Sequence, residues 1–83
     1  MEFVLLMAGT ITHAQRMAAL LESAGVHAAV IRTPSGLDQR GCGYSVRIDR
    51  RGLGHALESL RHRGIIPRGI YEKVQDAWQE VPT

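Results

Sequence analysis

The chain holds one cysteine, one tryptophan, one phenylalanine and three prolines in its 83 residues, and it has a single lysine, Lys73, and no asparagine. Each scarcity removes a class of function. One cysteine excludes an internal disulfide and the paired soft ligands of a Cys-x-x-Cys metal carrier. His13 and Cys42 together would make only two ligands, too few for a zinc centre, so no metal and no other cofactor is expected. The missing asparagine excludes an acylphosphatase-like reaction, which needs that side chain to hold its water. Aromatic residues are too few, and basic residues too scattered, for an RNA-recognition sheet, since only Phe3 and Tyr44 fall on central strands. With a net charge of +2, nucleic acid is not an expected partner. Paired carboxylates, a phosphate loop and a catalytic triad are absent, so the chain reads as a carrier or binding module rather than an enzyme. The first apolar run stops at Gly9 and Thr10, too short for a membrane span and without the basic flank of a signal peptide, which leads us to expect the reducing cytoplasm and no membrane.

What is present is a regular alternation of elements. Phe3–Ala8 is apolar on both parities, as in a central strand whose outer face is also covered; such a cover suits a homodimer. Thr12-His13-Ala14-Gln15 has the spacing of a capping box, with Thr12 as the cap and His13 at the first helical position. The helix that follows carries Ala14, Met17, Ala18, Leu21 and Ala24 on one stripe and stops at Gly25. Val26 to Arg32 reads as a strand ended by Pro34. Tyr44, Val46 and Ile48 alternate with Ser45, Arg47 and Asp49 in a half-buried strand. Asp49 can cap a second helix with its stripe at Leu53, Ala56, Leu57 and Leu60 and its stop at Gly64. Gly69 to Val74 is the last strand expected. The order β-α-β-β-α-β predicts an α+β, ferredoxin-like sandwich, two helices on one face of a four-stranded antiparallel sheet, in a single domain over residues 1–74. The tail, 75–83, reads as a short helical turn around Trp78 or as a fraying end.

That topology sends the connection from Thr33 to Gly43, which contains Cys42, to the same end of the sheet as the start of the first helix and Gly64. A helix N-terminus carries unpaired N–H groups and partial positive charge, which favour a thiolate or persulfide anion. Arg40 adds charge, Gly41 and Gly43 let a ligand approach the backbone, and Thr12 completes an anion or chalcogen cradle. A neutral His13 suits a hydrogen bond to sulfur. Read by its chemistry alone, Cys42 is also a small apolar residue of the kind often buried in cores, and Gly41 and Gly43 are also ordinary turn residues. Both readings stand at this point, as does a third, a small-ligand or dimerisation module in which the cysteine is structural.

Thr12-His13-Ala14, Leu20-Leu21, Ala24-Gly25-Val26, Ile31-Arg32-Thr33-Pro34, Cys42-Gly43, Gly64-Ile65 and Gly69-Ile70-Tyr71 occur here in one order and spacing. In these segments, from Phe3 to Tyr71, the chain resembles the putative selenium/sulfur carrier protein-like family of small bacterial domains. The resemblance implies a cytoplasmic protein whose cysteine, matched by Cys42, carries sulfur or selenium as a persulfide or selenosulfide. It implies donors and acceptors among selenium-delivery and sulfur-metabolism proteins, such as cysteine desulfurase and selenophosphate synthetase, and it matches His13 to the family histidine. The chain departs from the family at Ser35, where a basic residue is usual after Thr-Pro. It departs again at Asp38-Gln39-Arg40-Gly41, where a run of serines is usual.

Overall fold

The computed structural model describes residues 2–34, 37 and 43–82. Its elements are β1 (Phe3–Ala8), α1 (Ile11–Ser23), β2 (Ala28–Arg32), β3 (Tyr44–Asp49), a single 3-10 turn (Arg50–Gly52), α2 (Leu53–His62), β4 (Gly69–Val74) and β5 (Ala77–Glu80). The sheet has five strands in the order β2-β3-β1-β4-β5, with every neighbouring pair antiparallel.

The α+β class is as the sequence predicts; the four-stranded sheet and the helical tail are not. The tail is the strand β5, paired with β4 so that Val74 faces Ala77 and Lys73 faces Trp78. Only Gln75 and Asp76 turn the chain between them, both at positive φ, 50° and 64°. A two-residue hairpin of this hand needs positive φ at both central positions, and Asn-Gly or Asp-Gly is its usual signal. Gln-Asp carries that signal weakly, which is why Trp78 read as the seat of a helical turn.

The core lies between the helices and one face of the sheet. Val4, Leu6 and Ala8 of β1 meet Val46 and Ile48 of β3, Ile70 of β4, Ala14, Met17 and Leu21 of α1 and Ala56 and Leu60 of α2. These are the predicted stripes, and both helices therefore cover the same sheet face. Each helix ends in a Schellman motif. Gly25 at φ 87° lets its N–H reach Glu22 and the Val26 N–H reach Leu21. Gly64 at φ 69° does the same towards Arg61, with Ile65 bonding Leu60. Val26 is therefore spent on closing α1 and filling the core, and β2 begins two residues later than expected, at Ala28.

On the other face Leu5 is fully buried although no helix covers it. It stands between Arg47 and Tyr71 of the flanking strands. Beside it Phe3 meets Trp78 edge to face at 6.1 Å, the Arg47 guanidinium lies over Phe3 at 5.6 Å and the Lys73 ammonium over Trp78 at 5.7 Å. Part of the cover expected on this face thus comes from the chain's own aromatic rings and the cations over them. Among the described residues no helix is long and apolar enough to cross a membrane.

Candidate functional site

The end of the sheet at which the Thr33–Gly43 connection leaves and returns is built from four strand ends. The register sets Ala8 opposite Tyr44, Arg32 opposite Tyr44 on the other side, and Met7 opposite Gly69. The Thr33 N–H donates to the Gly43 carbonyl at 3.0 Å, and the Leu37 N–H to the Pro34 carbonyl at 3.3 Å. One step further in, the hydroxyls of Thr33 and Ser45 share a hydrogen bond of 2.6 Å. Ser45 is fully buried. Alternation alone put Ser45 on the polar face with Arg47 and Asp49; its hydroxyl is satisfied by Thr33, so burial costs little there. The pair pins β2 to β3 at the point where the connection begins.

α1 starts at the same end. Its N-cap is Thr10, in extended backbone, whose Oγ1 accepts from the His13 N–H at 3.1 Å while its carbonyl accepts from Ala14. The predicted box from Thr12 to Gln15 is thus displaced by two residues. The chain needs only Gly9 to leave β1, so the hydroxyl at position 10 is the first one placed to receive a helical N–H. Thr12 is an exposed residue of the first turn, and His13 is the third helical residue instead of the first. The His13 ring is half-buried, and its Nε2 is buried with no hydrogen-bond partner among the described residues.

Arg68 closes this end from the α2–β4 connector. Its N–H donates to the Met7 carbonyl at 2.9 Å. Its guanidinium lies on Gly9, so closely that a Cβ there would stand 2.9 Å from Nη1. This contact had no signal in the sequence beyond the glycine itself. The Arg32 guanidinium lies 5.9 Å from the centre of the Tyr44 ring.

Of the residues singled out from the sequence, Gly43, Thr12 and His13 are at this end, with Gly43 buried and its carbonyl engaged by Thr33. Cys42, Gly41 and Arg40 lie outside the described residues. Among the described residues no group of three or more His, Cys, Asp or Glu side chains is arranged to hold a metal ion.

The chain matches the family model described as "Putative Se/S carrier protein-like" over residues 3–72, from the first residue of β1 into β4. No curated protein and no solved structure matches it.

Proposed function

The chain belongs to the putative Se/S carrier protein-like family, and we propose from this that it carries sulfur or selenium on the thiol of Cys42. The thiolate attacks the outer sulfur of a persulfide on a donor protein. The donor's S–S bond breaks as the new S–S bond forms, the donor leaves as a thiolate, and no outside oxidant is needed. An acceptor thiolate then attacks the outer atom and releases Cys42 as a thiolate again. With selenium the same exchange runs through a selenosulfide. Cysteine desulfurase and selenophosphate synthetase are the kinds of protein expected on either side, in a reducing cytoplasm.

The observation that carries the reading is the family match across seventy of the chain's positions, with its one cysteine on the connection that joins β2 to β3. Supporting it, Gly43 and Tyr44 resume the chain beside the start of α1. There Thr10 satisfies the N–H groups of His13 and Ala14, while those of Ile11 and Thr12 have no partner among the described residues. Helix-terminal N–H groups of this kind lower a thiol's pKa and hold an anion. In this proposal His13, through its unpartnered Nε2, is a hydrogen-bond partner for the thiol or its cargo, and Thr12, Arg40, Gly41 and Gly43 form the cradle. The same reading takes β1 to β4 with their two helices as a ferredoxin-like unit extended by β5.

Intact mass spectrometry tests it. Reduced protein incubated with cysteine, pyridoxal phosphate and a cysteine desulfurase should gain one sulfur atom, removable by a thiol reductant, and Cys42→Ser should gain none. A native protein that stays unmodified, with a thiol that alkylates at the rate of free cysteine, would leave Cys42 a structural residue. Repeating the incubation with selenocysteine and its lyase separates selenium from sulfur.

A further inference from the structure

The charge of the molecule is sorted by end. All four ion pairs among the described residues involve groups at the end away from the Thr33–Gly43 connection or along β4: Arg50 with Glu2 and Glu72, Arg51 with Asp49, and His27 with Glu22. At the connection end stand Arg32, Arg61, Arg63 and Arg68, with Arg16 a turn away on α1, and none of the five makes an ion pair among the described residues. Between Gly9 and Leu21, and again between Arg61 and Tyr71, the chain has no carboxylate. Asp38 of the connection lies outside the described residues. Among the described residues the carboxylates that reach this end are Glu58 and Glu80, and neither pairs with these arginines.

The same end holds the large apolar side chains that, among the described residues, the fold leaves in water. Ile66 is 78% exposed and Ile11 43% exposed. Ile66 stands with Arg61, Arg68, Leu57 and Pro67 around a cleft of about 380 Å³, to which Glu80 adds one carboxylate. An exposed isoleucine flanked by two arginines has the make-up of a protein interface, where an apolar anchor is surrounded by charge and arginine is favoured over lysine. It is a poor make-up for nucleic acid. Among the described residues the two tyrosines of this end, Tyr44 and Tyr71, are half-buried, Tyr44 with the Arg32 guanidinium over it, which leaves the His62 imidazole as the exposed ring there.

We propose that this end is a docking surface for a protein whose own face is acidic around an apolar socket, with Ile66 and Ile11 as anchors and Arg32, Arg61, Arg63 and Arg68 as the charged rim. The inference rests on the carrier reading: the protein that docks is the one that loads or unloads Cys42, and the arginines steer its approach.

The test separates docking from chemistry by loading the thiol in two ways, from a cysteine desulfurase with cysteine and from a neutral small-molecule persulfide that needs no docking. Arg61→Glu with Arg63→Glu and Arg68→Glu should slow loading from the enzyme about tenfold at about 50 mM salt, and the gap from the native protein should close at about 500 mM, where charges are screened. Ile66→Ser should slow it several-fold at either salt. Compared at the same fraction of thiolate, neither change should alter loading from the neutral persulfide, and Arg51→Gln at the opposite end should alter neither rate. Enzyme-dependent loading that is unchanged in the triple variant overturns the docking surface and leaves the carrier reading standing. The same holds for a native protein that loads from the small persulfide but shows no saturable transfer from the enzyme. Loss of binding to a transfer-RNA preparation in the triple variant, with enzyme loading untouched, would reassign the end to nucleic acid and overturn the proposal. Failure to load from either source would remove the carrier reading and the docking surface together.

Discussion

The two ends of this small sheet use the same residue types to different effect. At one end Arg50 bridges Glu2 at 3.0 Å and Glu72 at 3.2 Å, and Arg51 holds Asp49 by two side-chain contacts and a backbone N–H. Both guanidiniums are held charged above their usual range, Arg50 by the hydrogen bond to Glu2 and then the Glu72 charge, Arg51 by Asp49. At the other end the arginines make no ion pair among the described residues, isoleucines stand in water and a histidine nitrogen is buried with no partner among the described residues. Side chains that satisfy one another close a fold. Side chains left unsatisfied together are a cost that a binding partner or a bound anion can relieve. The comparison assigns stability to the first end and recognition to the second.

The largest effect that would break this assignment is at Cys42. Cys42→Ser should abolish loading and leave the thermal midpoint where it was, since in this proposal the thiol serves chemistry and not packing. A midpoint lowered by several degrees in a melting experiment would make the cysteine part of the packing and return the connection end to ordinary structure.

Thr10→Ala comes next. Thr10 caps α1 at the recognition end, and losing such a cap costs about 1 kcal/mol, or about 4–8 °C of midpoint in a domain this size. If the unpartnered N–H groups of the first turn also serve the thiol, the variant should load more slowly as well, and the ratio of the two losses tells capping from recognition. A stability loss with normal loading would detach the helix terminus from the chemistry.

A smaller effect tests the cost of unpaired charge. Arg61→Gln with Arg63→Gln should raise the midpoint slightly at low salt, by relief of repulsion, and the gain should vanish as salt screens it. The same pair of changes at Arg50 and Arg51 should lower it. Equal responses at the two ends would erase the distinction drawn from the ion pairs.

Much of this was legible in the sequence, and the reasons for the rest are physical. The stripes Ala14-Met17-Leu21 and Ala56-Leu60 and the stops at Gly25 and Gly64 were readable because periodicity and positive φ each leave a residue-type signature. β5 was missed because its hairpin turns on Gln75-Asp76, a pair without glycine. The cap moved from Thr12 to Thr10 because two threonines compete for one helix start, and only the length of the exit from β1 decides between them. Ser45 looked like a solvent residue because its partner, Thr33, is twelve positions away. Cys42 lies outside the described residues, and of the candidate site the place of His13 at the end of the β2–β3 connection was legible. The charge of that end was not, because Arg32, Arg61, Arg63 and Arg68 come from three separate segments that meet only in the folded sheet.

The last and smallest prediction concerns Asp49, which caps the turn into α2 at the stability end. Its carboxyl is held below the usual carboxylate range, chiefly by the side-chain hydrogen bonds from Arg51 and then by the Arg51 backbone N–H. A group whose pKa falls on folding contributes stability that is present above its unfolded pKa and lost as the pH falls through its folded one. Asp49→Asn keeps an oxygen to accept the Arg51 N–H but removes the charge. The variant should therefore melt slightly below the native protein near neutral pH, and the two curves should converge as the pH falls below the ordinary carboxylate value of 3.8 and through the lowered one of the folded protein, where the native carboxylate is itself protonated. Arg50 and Arg51 stay charged throughout, so they do not contribute to the convergence. Melting curves across that range decide it: a gap that persists in acid would make the substitution a packing fault, whereas one that closes makes the Asp49–Arg51 charge part of what holds this end together.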